Sequence, residues 1–252
     1  MLRNLIADLA STAKRHFPGL YGFVRDAAPP TMRARLSYDI YRRRIAADGT
    51  PESIFGKIYE TGWWGSPESL SGTGSELWRS ERLRGDLLAW IERHGVRSML
   101  DAPCGDYNWM RHVAFPEGFR YIGGDIVEAM IDDNRRRHPG LDFRKIDIVA
   151  DPLPAADAWL CRDALIHFPN DAGRQVLERF RASPIDYLLV TTFPGVTHNR
   201  DIAFGQYRPV NLTLAPYDLP PPEEILLDDD DPATGRVIGV WSREALRRQR
   251  AQ

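Results

Sequence analysis

Apolar positions follow two rhythms along the chain. Residues 187–192 are nearly continuous in apolar side chains, as a strand buried on both faces should be; residues 157–162 read as another strand, residues 121–125 as one that ends in a carboxylate, and the alternation beginning at Val96 as the first. Between them the apolar spacing widens to three and four. Leu77, Trp78, Leu83, Leu87, Leu88 and Ile91 mark one side of a helix over residues 76–94, stopped by Gly95, and a charged helix over 128–138 is ended by Pro139-Gly140. Strands alternating with helices predict an α/β fold with a doubly wound sheet. Residues 211–215 and 236–241 read as a closing antiparallel pair, and Leu2, Leu5, Ile6 and Leu9 as a helical N-terminal extension.

The first strand carries the most informative loop. After the alternation of residues 96–101 the chain turns at Ala102-Pro103-Cys104-Gly105, and a helix is expected to begin at Trp109-Met110. Ligands in such sheets bind where the first loop leaves the carboxyl end of its strand. A diphosphate there needs several glycines, so that bare N–H groups can approach it. This loop has one glycine, Gly105, and two carboxylates, Asp101 and Asp106, which suit a ligand with an ammonium or sulfonium group and free hydroxyls. Asp125, closing the second strand, stands where an acid meets a ribose diol.

These residues, in this order, resemble the class I S-adenosylmethionine (SAM)-dependent methyltransferases. The resemblance rests on Leu100 to Asp106, on Gly124-Asp125-Ile126, on Phe143 to Ile148 with Asp147, and on Trp159 to Phe168 with Arg162, Asp163 and His167. Upstream, Ile58-Tyr59, Trp64-Gly65 and Ser71 to Ser75 are similar to a segment preceding the cofactor domain in a bacterial subset of the family, many of them linked to glycan or secondary-metabolite pathways; Arg208, Asn211-Leu212 and Leu219-Pro220 extend the match. The resemblance implies a Rossmann-like doubly wound, mostly parallel seven-stranded sheet with an antiparallel C-terminal strand, preceded by an extension and lid over residues 1–75, the domain itself covering 76–252. It implies SAM as cofactor, held by Trp64, Ser71, Gly72, Ser75, Asp101, Ala102, Pro103, Gly105, Trp109, Asp125, Ile126, Asp147, Ile148, Arg162 and Asp163. The Ser-Gly loop at 71–75 offers N–H groups and hydroxyls able to hold a carboxylate.

Methyl transfer to a hydroxyl requires alignment and removal of one proton. His167, four positions after Asp163, is the expected base; Asp163 orients it or takes the proton, and His198 is the second candidate. The polar loop leaving the fifth strand supplies His198, Asn199, Arg200, Tyr207, Arg208 and Asn211 as substrate contacts. The acceptor expected is an oxygen on a sugar or another small polar metabolite. The rivals are a nicotinamide-dependent oxidoreductase, opposed by the missing glycines, and a cofactor-binding subunit without activity of its own.

Charge and composition narrow the remaining classes. A net charge of −2 argues against non-specific binding to nucleic acid, which depends on a surplus of basic groups. Two cysteines, Cys104 and Cys161, read as free thiols of a reducing compartment, and the chain is expected to be cytoplasmic, without a membrane span. No His/Cys spacing suggests a metal site. The acidic run from Asp228 to Asp231 lacks a calcium-loop pattern and reads as solvated, as does the basic segment with Arg33, Arg35, Arg42, Arg43 and Arg44. The oligomeric state stays open.

Overall fold

The computed structural model describes residues 41, 45, 49–228 and 235–250. The chain divides into two compact units, Met1–Thr50 and Pro51–Gln252. The expected N-terminal helix and basic segment, and Asp229 to Asp231, lie outside the described residues.

The second unit is a seven-stranded sheet in the order β3-β2-β1-β4-β5-β7-β6. Its strands are β1 (Ser98–Asp101), β2 (Arg120–Asp125), β3 (Asp142–Lys145), β4 (Ala158–Cys161), β5 (Tyr187–Thr192), β6 (Glu224–Leu227) and β7 (Val237–Ser242). The first five are parallel, and β7 runs antiparallel between β5 and β6. The strand order reverses at β1 and β4, which both leave the sheet at its carboxyl edge and open the crevice expected of a doubly wound sheet.

Strand alternation builds two apolar layers. Leu100, Ile122, Trp159, Leu188 and Trp241 face one side with Val176, Leu177 and Phe180 of helix α4 (Asn170–Ala182) and Leu246 of α5 (Arg243–Arg250). Met99, Tyr121, Phe143, Leu160 and Val240 face the other with Leu83, Leu87, Trp90 and Ile91 of α2 (Glu81–His94) and Ile131 of α3 (Glu128–Arg137). Helix α1 (Pro51–Thr61) buries Ile54 and Ile58, and its Tyr59 hydroxyl donates to Asp133 of α3.

Four local expectations are corrected. The helix at Trp109 is only a 3-10 turn, Met110–His112. Asn108 directs its amide to Glu68 and to the Ser75 carbonyl instead of favouring helical geometry. Helix α2 starts at Glu81, because Leu77 N donates to Glu68 and Glu76 accepts from Ser66 and Trp78, drawing that stretch away from a helical path; Trp78 is 62% exposed. The partner of β7 at the sheet edge is Glu224–Leu227, whereas Asn211 turns the chain by accepting Thr213 N and Oγ1 on its side-chain Oδ1. Asp228 is fully buried between two arginines and not solvated.

Candidate active site

Asp101 and Asp125 end the neighbouring strands β1 and β2 at the carboxyl edge. Both are buried, and Tyr121 donates its hydroxyl to Asp101 at 2.7 Å. Met99 pairs with Tyr121 in the β1–β2 register, so strand alternation carries Asp101 to the sheet face that Tyr121 occupies. Burial raises the Asp101 carboxyl to about 7, with the Tyr121 hydrogen bond and Arg162 opposing and Asp125 adding to the rise. Asp125 accepts Gly105 N at 3.2 Å and Val127 N at 3.0 Å, yet burial still lifts it to about 6. A positive occupant relieves this strain by favouring the ionised pair.

The loop of the first strand is built around that pair. Cys104 N donates to the Gly124 carbonyl at 2.7 Å, and Trp159 Nε1 donates to the Ala102 carbonyl at 2.9 Å. Gly105 lies at φ 56°, and an added Cβ there would collide with Ser71 Oγ. The second loop carboxylate, Asp106, does not reach into the crevice alone. It accepts Ser69 Oγ at 2.9 Å, Leu70 N at 2.8 Å and Ser71 Oγ at 3.1 Å. The carboxylate that Ser71 meets in the structure is thus the chain's own Asp106, which Ser69 and Leu70 also bind.

A second cluster closes the site at β4. Arg162 lies 5.1 Å over the Trp109 ring, donates to the Gly74 carbonyl at 2.7 Å and pairs with Asp228 at 2.9 Å. Arg236 pairs with Asp163 at 2.8 Å and with Asp228 at 3.2 Å. Asp163 sits at φ 54° and receives Thr191 Oγ1 at 3.2 Å. Burial alone would raise Asp163, but Arg236 and Arg162 outweigh it and hold the carboxyl below its ordinary range.

His167 ends a 3-10 turn, Leu165–His167, directly after this cluster. Its Nδ1 lies 2.8 Å from the Gln206 carbonyl. A carbonyl only accepts, so Nδ1 carries the proton and Nε2 keeps a lone pair. Burial lowers the imidazole pKa, with Asp163 and the Gln206 bond acting against it and Arg208 adding to it. The ring stacks on Trp64 at 4.7 Å, and the Tyr207 ring is 6.0 Å away.

No family model and no curated protein match the chain. Among solved structures it is similar to human N-acetylserotonin methyltransferase in complex with SAM, with a TM-score of 0.53 and 14% identity over 81% of this chain and 61% of that one. The chain shares the α/β, Rossmann-like fold of that enzyme. It spans less than two thirds of the human enzyme's length. Weaker likenesses are to OxaC in complex with SAH and oxaline, with a TM-score of 0.48 and 18% identity over 62% of this chain and 46% of that one, and to an amino pentose methyltransferase from Micromonospora echinaspora, with a TM-score of 0.39 and 21% identity over 53% and 55%.

Within this methyltransferase fold the sequence candidates separate. Ala102, Pro103, Gly105, Trp109, Asp101, Asp125, Arg162 and Asp163 gather at the carboxyl edge; Ser71 lies against Gly105, the Ser75 carbonyl accepts from Asn108, and Gly72 lies against Trp64. Ile126 directly follows Asp125 at the end of β2. Asp147 bonds locally, accepting Val149 N at 2.9 Å, beside the buried Ile148. Three expected substrate contacts point inward instead. Arg208 is fully buried, donating to the carbonyls of Leu165, Phe168 and Arg200 and to Asn170 and Tyr217. Asn199 donates to the carbonyls of Asn211, Leu214 and Ala215, and Asn211 to those of Pro194 and Val196. His198 and Arg200 are exposed, and Tyr207 is 55% exposed. The sequence reading missed Tyr121, Arg236 and Gln206. Only Tyr121 left a signal, since alternation puts it two positions out of step with a buried acid on the next strand.

Among the described residues, no helix is long and apolar enough to cross a membrane, and no group of His, Cys, Asp or Glu could hold a metal ion. Both cysteines are free and buried.

Proposed function

We propose that the chain is a SAM-dependent methyltransferase acting on a hydroxyl of a small polar acceptor, a sugar or a secondary metabolite. The observation that carries this reading is the buried Asp101–Asp125 pair, whose raised carboxyls sit at the tips of adjacent parallel strands of a methyltransferase fold. Such a pair fits a cation and repels a diphosphate, which also disfavours a dinucleotide oxidoreductase. Asp125 and Gly105 serve the ribose side, Asp101 the positive end, and Asp147 with Ile148 the base. SAM supplies a methyl group on a positively charged sulfur.

The chain's own residues then deal with the acceptor. His167 Nε2 accepts the hydroxyl proton, and the Nδ1–H bond to Gln206 keeps that lone pair available. Asp163, ionised against Arg236, stabilises the resulting imidazolium through space and does not take the proton itself. Tyr207, Arg200 and His198 form the exposed rim that meets the acceptor.

The test is incubation with methyl-labelled SAM and a panel of nucleotide sugars, glycosides and phenolic metabolites. Label on an acceptor oxygen supports the reading. Transfer only to nitrogen or carbon, or none with any acceptor, overturns it.

A further inference from the structure

Trp64, in a Trp-Trp-Gly stretch, is expected from the resemblance to hold the cofactor, and in the structure its indole meets His167. Its seat is specific. Gly65 turns the chain at φ 68°, and Gly72, at φ 92°, lies against the indole so closely that an added Cβ would stand 3.0 Å from Trp64 Cβ. Phe55 of α1 flanks it with ring centroids 6.2 Å apart, and Phe55 in turn meets Phe168 at 5.7 Å and Phe204 at 6.3 Å. The indole is thus backed by glycine, flanked by Phe55, and stacked on one imidazole, His167, at 4.7 Å with 26° between the planes.

The imidazole has few other restraints. Its main chain is pinned by Gly205 N donating to the His167 carbonyl at 2.8 Å, and its ring by the single bond from Nδ1 to the Gln206 carbonyl. Both of these partners sit on the loop after β5. One hydrogen bond to a loop carbonyl fixes Nδ1 but leaves the ring free to tilt about it, and a base must be aimed to within a fraction of an ångström. A flat wall from a different segment of the chain supplies what the loop alone does not.

We propose that Trp64 is a positioning residue for the base His167: its indole face holds the imidazole in the plane that keeps Nδ1–H on the Gln206 carbonyl and shields the ring from water. The proposal rests on the reading of His167 as base. It gives the Trp-Gly and Ser-Gly segments one purpose, since Gly72 of the second leaves room for the indole of the first. The charged groups acting on the imidazole are Asp163, which raises its pKa, and Arg208, which lowers it; the indole adds no charge and acts by excluding water.

The test is ¹H–¹⁵N correlation of the imidazole nitrogens across pH in the wild-type protein, Trp64→Phe and Trp64→Ala, together with kcat and SAM affinity. Trp64→Ala is expected to move the His167 midpoint upward toward the ordinary value near 6.5 and to mix the two neutral tautomers. It is also expected to lower kcat by on the order of 10- to 100-fold with SAM affinity nearly unchanged. Trp64→Phe, which keeps a flat face, restores most of each. If Trp64→Ala fails to fold, Trp64→Leu, apolar but not flat, replaces it. An unchanged midpoint and tautomer in the variant overturn the proposal, as does a loss confined to SAM affinity, which would make Trp64 a cofactor wall. Retained kcat in His167→Asn with the Trp64→Ala titration shift still present would instead defeat the base assignment and leave the positioning contact standing.

Discussion

Ser71 Oγ accepts the Asp106 N–H at 2.9 Å and lies 3.1 Å from the carboxylate of the same residue. This reciprocal pair, with Ser69 Oγ and Leu70 N on the same carboxylate, fastens residues 69–71 to the loop that follows β1. The segment is therefore held against the loop after β1 by bonds of the chain's own making. Asp106→Ala removes four acceptor contacts, from Ser69, Leu70, Ser71 and Asn108, and is expected to weaken SAM binding by about tenfold, since each charge-assisted bond contributes roughly 1.5–3 kcal/mol and part is recovered by water. Limited proteolysis without cofactor would show faster cleavage within residues 62–76. Unchanged affinity and cleavage would contradict the fastening role.

Asp101 and Asp125 make the site sensitive to pH. Their folded-state values, about 7 and about 6, lie above the ordinary 3.8, so the folded protein holds these protons more tightly than the unfolded chain. Their contribution to stability without ligand is therefore full below about pH 4 and is lost as pH rises toward 7. Asp101→Asn keeps an acceptor for Tyr121 but cannot ionise. Chemical denaturation at pH 8 is expected to find it more stable than wild type by on the order of 2–4 kcal/mol, with the gap closing near pH 4. SAM affinity moves the other way in wild type, rising between pH 5 and 8, whereas SAH, whose sulfur carries no charge, shows a shallower trend.

Arg208 is predicted to be a scaffold residue. It ties the turn Leu165–His167, the start of α4 and Tyr217 to one guanidinium. Arg208→Ala is expected to cost about 3–5 kcal/mol by denaturant melts, because several buried carbonyls lose their donor together. Arg208→Lys should recover little, since an ammonium cannot span the same fork. A stable Arg208→Ala protein with only a raised KM for acceptor would return the residue to substrate binding.

His167→Asn is expected to lower kcat by roughly 10²–10⁴-fold, the range for a lost general base, with SAM affinity within about threefold of wild type. The acid limb of the wild-type pH–rate profile should fall below pH 6.5, following the lowered imidazole pKa. Retained turnover would move the base role to another group, with exposed His198 the first to examine.

The sheet and its ligand edge were legible in the sequence for a physical reason. Central parallel strands are buried on both faces, so Tyr187–Thr192 reads as an apolar run, and an acid that ends such a run, as Asp101 and Asp125 do, can only lie at the carboxyl edge. The helices α3 and α2 showed their periodicity, though the start of α2 was displaced by side-chain bonds that no spacing reveals. Polar loop residues were harder. Asn199, Arg208 and Asn211 announce hydrogen-bond donors, but composition does not say whether the partner is a ligand or a nearby carbonyl. Pairs such as Arg162–Asp228 and Arg236–Asp163 join residues 66 and 73 positions apart, and only the closed sheet brings them together.

The central claim, that the crevice is built for a cationic sulfur nucleoside, is tested most directly by isothermal titration calorimetry of the purified chain with SAM at pH 8. A single site is predicted, weakened at least tenfold in Asp125→Ala and not displaced by NAD⁺ or NADP⁺. Absence of heat with SAM, or saturable binding of either dinucleotide at the same site, would contradict it.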